Sequence, residues 1–339
     1  MKFLFPFCIA VVLLGQQTKT PAQKQIEVAE AEIKKAPTSA LGYNRLALAY
    51  NRRARETSDP SFYERGETAL KKSFELDPAN MESLKIEAWL AMGKHDFAKA
   101  LGIAKKLNAK SPDNASIYAI LADSQIELGH YVDAEKAVQT MLNLQGATVP
   151  GLTRGAYMRE LIGDLDGAVE LMIKAYEKCP IDELEDRAWI LTQVAQLERK
   201  RGHGPEAERI VNQALQLFPD YHYALGALAR IKMDAGKHNE AAALEQKRYT
   251  GAPHAENLYA LAVAQHKAGL KEQAGKSFQQ FEAESRKEMA TNDNSNHELI
   301  FYYADFRKDP EKALEVAKLE LARRADIHTL DAHAWALFV

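Results

Sequence analysis

Residues 116–142 read SIYAILADSQIELGHYVDAEKAVQTML, and the fold is decided by this stretch. Tyr118, Leu121 and Ala122 stand at i, i+3 and i+4, one face of an α-helix. Gly129 follows, a residue that takes the left-handed conformation at a helix end without a Cβ clash. Tyr131, Ala134, Val138 and Met141 then mark one face of a second helix, so the stretch is a helical hairpin. Its small residues recur along the chain. Ala100, Ala134, Ala168, Ala207, Ala241, Ala274 and Ala313 form a ladder with steps of 34, 34, 39, 34, 33 and 39 residues. Ala88, Ala122, Ala156, Ala195, Ala229 and Ala262 form a second ladder, twelve residues ahead of the first. Pro78, Pro112, Pro180, Pro219 and Pro253 recur at the hairpin exits, where proline cannot extend a helix. Small residues at fixed phase about every 34 residues predict an all-α chain, an α-solenoid of stacked hairpins. Strand-like alternation is absent. The alanines belong where helices cross, because a methyl side chain lets two axes approach to ~8–10 Å.

The phase predicts about eight hairpins and a terminal helix. The first, Ser39 to Asn80, is enlarged: a helix from Tyr43 to Arg55, an insertion from Glu56 to Phe62, then a helix to Leu76. Regular units follow near 81–114, 115–148, 149–182, 188–221, 222–254 and 255–288, and an irregular eighth spans about 294–327. Glu183 to Arg187 and the polar stretch Thr291 to Asn296 account for the two 39-residue steps, and these predict kinks in the superhelix. The last helix, from about Thr329, has no partner helix after it. Its end, Ala334-Trp335-Ala336-Leu337-Phe338, is apolar where a terminal repeat normally carries a polar cap. Either the chain continues or this edge docks on something, self-association included.

The N-terminus stands apart. Lys2 precedes the apolar run Phe3 to Leu14, and the polar Gln16-Gln17-Thr18-Lys19-Thr20 follows. A short basic start, about a dozen apolar residues and a polar exit describe a cleaved secretory signal, with an uncleaved anchor as the alternative. The run is short for a bilayer, which takes ~20 apolar residues. Residues 1–22 are therefore read as signal peptide, with cleavage after Ala22 or Gly15, 23–38 as a linker or helix, and 39–339 as the solenoid. The protein is expected outside the cytoplasm, periplasmic or secreted. Of the two cysteines, Cys8 would leave with the signal, so Cys179 has no intramolecular partner and packed helices must supply the stability.

The hairpins resemble the tetratricopeptide repeat: small at the eighth position, glycine at the fifteenth, alanine at the twentieth, proline at the thirty-second. Leu46-Ala47-Leu48-Ala49-Tyr50, Leu76-Asp77-Pro78-Ala79-Asn80 and Leu217-Phe218-Pro219-Asp220-Tyr221 read like pieces of it, and the layout is similar to that of exported bacterial members. Gly66, Gly146 and Ala325 depart from the ladder. The resemblance implies a right-handed superhelix whose first helices line a concave groove for a peptide, a helix or a partner's surface. Its positions imply Glu82, Lys85, Trp89 and Met92 from the second unit, and Ser116, Ala119, Asp123 and Glu127 from the third. Thr153, Tyr157 and Glu160 follow, then Trp189, Thr192, Gln196 and Arg199. Tyr223, Arg230 and Asp234, then Tyr259, Val263 and His266, complete the set. Aromatic and arginine side chains are what interface centres are built from; the same rings could equally fill gaps between repeats.

Catalytic chemistry has little support. His95, His130, His203 and His238 sit in inter-helix loops, and His328 and His333 are five apart, unlike an i, i+4 zinc pair. No nucleophile elbow, phosphate-cradling glycine loop or HExxH segment appears. The acidic run Asp182-Glu183-Leu184-Glu185-Asp186 reads as a helix start, where negative charge suits the macrodipole. A net charge of -3 gives no basic field for nucleic acid. No cofactor and no metal are expected. The expected function is a non-enzymatic scaffold for a protein or peptide partner; a glycan-binding accessory of an enzyme system is the alternative, since aromatic grooves also stack sugars.

Overall fold

The computed structural model describes residues 19–339, so the apolar N-terminal run and the signal expectation that rests on it lie outside the described residues. Among the described residues the chain forms eighteen α-helices and no strand. After α1 (Pro21–Lys35) come seven helical pairs: α2/α3 (Ala40–Thr57, Ser61–Leu76), α4/α5 (Met81–Gly93, Phe97–Lys110), α6/α7 (Ala115–Glu127, Tyr131–Gln145), α8/α9 (Val149–Leu161, Leu165–Lys178), α10/α11 (Leu184–Lys200, Gly204–Leu217), α12/α13 (His222–Asp234, His238–Gly251) and α14/α15 (Ala255–Lys267, Lys271–Glu288). The eighth pairs α16 (Asn296–Phe301), extended by the π-helical turn Tyr302–Arg307, with α17 (Pro310–Leu321). The last helix is α18 (Ile327–Phe338). No described helix is long and apolar enough to cross a membrane.

The ladders lie where the sequence places them. Each of the thirteen ladder alanines is at most 2% exposed. The cores they enter are shared between units. One runs from Leu152 of α8 to Ile231 of α12, through Ala168, Ala195 and Ala207. A single hairpin is too thin to bury its own apolar face, so each depends on its neighbours. At the hairpin turns, Gly129, Gly163, Gly202, Gly236 and Gly269 all have positive φ. The second unit has His95 at the same phase (φ 57°) and the eighth has Lys308 (φ 55°), a conformation side chains take reluctantly.

For the N-terminal part, one expectation is corrected and one pair of alternatives is resolved. The insertion at Glu56–Phe62 shrinks to the turn Ser58–Pro60, because α2 runs on to Thr57 and α3 starts at Ser61. The physical cause is α1. Glu56, 5% exposed, accepts hydrogen bonds from the Thr20 hydroxyl (2.6 Å) and the Ala22 amide (3.0 Å), while Arg53 pairs with it at 2.8 Å. Of the two readings of 23–38, linker or helix, helix holds as far as Lys35, and α1 opens at Pro21 with a capping box between Thr20 and Gln23. A boundary at residue 22 therefore falls inside its first turn.

The superhelix also touches itself. Arg52 and Arg55, at the C-terminal end of α2, reach across to Glu183, Glu185 and Asp186 at the start of α10, some 130 residues away. Each partner also complements its own helix dipole, cations at a C-terminus and anions at an N-terminus. Glu185 is fully buried and accepts a hydrogen bond from the Tyr221 hydroxyl. The neighbouring His222 donates from Nε2 to the Arg55 carbonyl at 3.0 Å. Further along, His95 Nδ1 lies 3.6 Å from Asp293. A third contact joins the α6–α7 turn to the α17–α18 turn: the Ala325 amide donates to the Glu127 carbonyl (3.1 Å) and the Ile327 amide to the Tyr131 hydroxyl (2.6 Å). A Cβ on Gly129 would stand 2.6 Å from the Ala325 carbonyl oxygen, whereas at Gly163, Gly202, Gly236 and Gly269 it would meet nothing within 4 Å. Glu183–Asp186 and Asp293 belong to the two segments that break the 34-residue phase. Both segments make contacts with distant units.

Candidate functional site

Six first-helix residues named from the sequence, Asp123, Glu160, Gln196, Arg199, Arg230 and Asp234, take part in polar links between neighbouring units, with Arg154 and Lys200 as further partners. Arg154 grips Asp123 with two hydrogen bonds (2.9 and 2.5 Å), and its guanidinium lies 5.8 Å from the Trp89 ring. Lys200 pairs with Glu160, Arg199 with Asp234 at 2.8 Å, and Arg230 donates to Gln196 at 3.0 Å. Lys85 pairs within its own helix with Glu82 at 2.6 Å. Bonds between units tie adjacent first helices together, so several groove charges are already engaged.

The aromatic residues sit between the two readings offered for them. Trp89, Trp189, Tyr223 and Tyr259 are half-buried and pack against the cores of their units. Burial pushes the Tyr157 hydroxyl up, as do the nearby carboxylates of Glu127, Glu160 and Asp326. Tyr223 is pushed up to about 12, first by burial and then by Glu256, and packs against Tyr221 and His222. Tyr259 belongs to an aromatic group with Phe278, Phe281 and Phe306, and His266 meets Phe306 edge-on at its rim. Two expected groove positions face the core instead: Ala119 is 3% exposed and Thr192 is 0%, its hydroxyl bonded to the Ala188 carbonyl. Ala119 packs with Ala115 and Met141 of its own hairpin.

One cavity of about 450 Å³ opens among α10, α12, α13, α14 and α16. It unites Arg199, Arg230, Asp234, Tyr259 and Val263, all named from the sequence, while Lys85, Trp89, Asp123, Tyr157, Glu160, Trp189, Gln196, Tyr223 and His266 lie outside its lining. The sequence reading missed Arg248, Glu245, Glu256, His297, Glu298 and Phe301. Arg248 and Glu245 sit on a second helix, where a first-helix groove pattern does not look. A signal was present: Gly226 of α12 leaves room for the Arg248 guanidinium, 2.9 Å from where its Cβ would be. Within the lining, Arg248 pairs with Glu245 at 3.3 Å and more distantly with Glu256 at 3.9 Å, and His297 lies 3.7 Å from Glu298. Arg230 and Glu256 are open to water yet densely walled by protein, the environment of a cavity rather than a free surface. No group of three or more His, Cys, Asp or Glu among the described residues could hold a metal ion.

A profile of the tetratricopeptide repeat matches residues 91–147. The fold is a tetratricopeptide-repeat solenoid. Solved structures extend the likeness over most of the chain. A human IFIT1 dimer with m7Gppp-AAAA aligns with a TM-score of 0.62 at 15% identity, over 91% of this chain and 74% of that one. A chain of the APC/C hetero-tetramer Cut9-Hcn1 aligns with a TM-score of 0.60 at 14% identity, over 92% of this chain, which spans 58% of that one's length. PilW, described as a widely conserved type IV pilus biogenesis factor, aligns at 0.51 and 18% identity, over 60% of this chain and 94% of that one. At these identities the shared property is the repeat fold. No functionally curated protein matches the sequence.

Proposed function

We propose that this tetratricopeptide-repeat solenoid is a non-enzymatic scaffold that binds a segment of another protein in the cavity beside α12 and α14. The observation that carries this reading is the lining: arginine side chains and aromatic rings converge in an open recess whose volume suits a bound segment of a few residues. Arginines and carboxylates are interleaved there, which favours a protein partner over the uniformly anionic backbone of a nucleic acid. The test is retention of partners from a native extract by the immobilised protein and by Val263→Arg, which fills the cavity. Polypeptides held by the wild type and lost with a Val263→Arg protein of equal melting temperature support the scaffold. Identical retention by both, or none by either, overturns it.

Export is proposed on the basic, apolar and polar order of residues 2–20. N-terminal sequencing of the protein from its host should find a start before Pro21, which keeps the Thr20 cap of α1; an intact Met1 on a soluble cytosolic product contradicts export. Self-association is proposed through α18, where Trp335, Leu337 and Phe338 are 38%, 60% and 80% exposed while Ala332 and Ala336 pack inward. A sedimenting species that stays monomeric at high concentration contradicts it.

A further inference from the structure

The ion pairs of the cavity leave one cation and two carboxylates of its lining poorly answered. Arg199 is neutralised by Asp234 and Arg248 by Glu245. Arg230, on α12, makes no ion pair among the described residues, and its hydrogen bond goes to the neutral Gln196. Glu256, at the start of α14, has only the distant Arg248 at 3.9 Å, and Glu298 of α16 has only a histidine. Arg248 is 8% exposed, lines the cavity and leaves its Nε without a hydrogen-bond partner, although such donors are normally satisfied. Arg230 and Glu256 are open to water, and a ligand that brings an opposite charge into the recess gains a charge-assisted hydrogen bond to each.

We infer that the cavity takes a mixed-charge peptide segment, a carboxylate side chain meeting Arg230 and a cationic side chain meeting Glu256 and Glu298, with an apolar side chain between them against Tyr259 and Phe301. The inference rests on the scaffold reading and names its partner's chemistry. The electrostatics agree with the placement. Burial, then the neighbouring Arg248, makes the Arg230 guanidinium easier to deprotonate than usual. Burial, then the facing Glu298, raises the Glu256 carboxyl. An incoming carboxylate relieves the first and an incoming cation the second. At ~3.3 Å per extended residue, three or four residues carry the two charges across a recess of this size.

The experiment measures the affinity of four fluorescent peptides by anisotropy: acetyl-Glu-Leu-Ala-Lys-amide and its forms with Gln for Glu, with Gln for Lys, or with both. Each is titrated against wild type, Arg230→Gln, Arg230→Lys and Glu256→Gln, with melting temperatures recorded alongside. In the wild type, each loss of peptide charge should weaken binding about tenfold, as for a charge-assisted hydrogen bond. The pattern across variants is the decisive readout. Arg230→Gln should erase the effect of the peptide's Glu and keep that of its Lys, Glu256→Gln should do the reverse, and Arg230→Lys should restore the Glu preference. Equal affinity for all four peptides, no binding by any, or charge effects that fail to cross over in this way overturns the inference. Partners lost with Val263→Arg yet indifferent to Arg230→Gln and Glu256→Gln would also overturn it while leaving the scaffold reading intact.

Discussion

Where one unit meets the next, as at Ala168 or Ala207, the contact is dry, apolar and made between residues about 34 positions apart. Where the chain meets itself over 130 or more positions, at Arg55 with Glu185 and at Glu127 with Ala325, it is made of ions and backbone hydrogen bonds. The first kind of contact supplies most of the stability, because burial of apolar surface is the dominant favourable term in folding. The second is suited to setting the pitch of the superhelix. Directional bonds between distant units hold one curvature, whereas apolar packing between neighbours tolerates a range of them. A solenoid stripped of the long-range contacts should stay folded and lose its shape.

The largest effect should come from the apolar contacts. Ala168→Arg forces a long charged side chain into a fully buried helix crossing, and ~4 kcal/mol or outright unfolding follows from overpacking and desolvation. Glu170→Arg, at an exposed position paired with Lys174, should cost far less, since surface ion pairs contribute little. Denaturant melts of the two variants check this; equal midpoints would remove the distinction between ladder and surface.

Next comes a pH effect in the long-range contact. Burial holds His222 down to about 4, so the folded chain stays unprotonated there while the unfolded chain takes up a proton near pH 6.5. Stability contributed by neutral His222 is thus present above the unfolded value and lost as pH falls from about 6.5 to about 4, up to ~3 kcal/mol. Glu127, pushed up to about 7 mainly by burial, works the other way, since the folded state protonates first as pH falls. The measurement is therefore the difference between wild type and His222→Gln, whose amide can still donate to the Arg55 carbonyl. The gap should shift in favour of the variant as the solution is acidified, and a constant gap would place His222 outside the contact.

Glu185→Ala should cost ~2 kcal/mol: it leaves the buried Tyr221 hydroxyl unpaired, while Arg55 is partly exposed and keeps Asp186. Urea melts measure the cost, and small-angle scattering should show a wider particle. The smallest effect separates the turns. Gly129→Ala and Gly202→Ala share the penalty of a side chain at positive φ, ~1 kcal/mol, but only the first also meets the Ala325 carbonyl. Gly129→Ala should therefore melt lower than Gly202→Ala. Equal melting would mean that the α17–α18 turn does not press on Gly129 in solution.

The sequence makes the first kind of contact legible and hides most of the second. Ala134 and Ala168 announce themselves by period, since neighbouring units repeat the same geometry. Arg55 and Glu185 belong to no period, and nothing in either residue points to the other across 130 positions. The trace they leave is negative: the phase slips at Glu183–Arg187 and again at Thr291–Asn296, where the chain departs from the stack to make these contacts. The cavity divides in the same way. Arg199, Arg230, Asp234, Tyr259 and Val263 follow from their position on first helices. Arg248 and Glu245 approach from the second helix α13, through the gap at Gly226, and a residue-by-residue pattern has no reason to pair them. His95 was readable only as a loop histidine; its left-handed conformation marks it as the second unit's counterpart of the turn glycines.

The claim that the superhelix is closed on itself is tested most directly by a distance. Spin labels at His130 and His328, both exposed and flanking the contact between Glu127 and Ala325, report the separation of the third unit from the last helix. Cys179 is buried, and with Cys8 replaced the labels are confined to the two chosen sites. A single, short and narrow distance distribution in the wild type, broadening to longer distances in Gly129→Val with helical content unchanged, is the expected result. A long or broad distribution in the wild type itself would describe an open solenoid and contradict the closure.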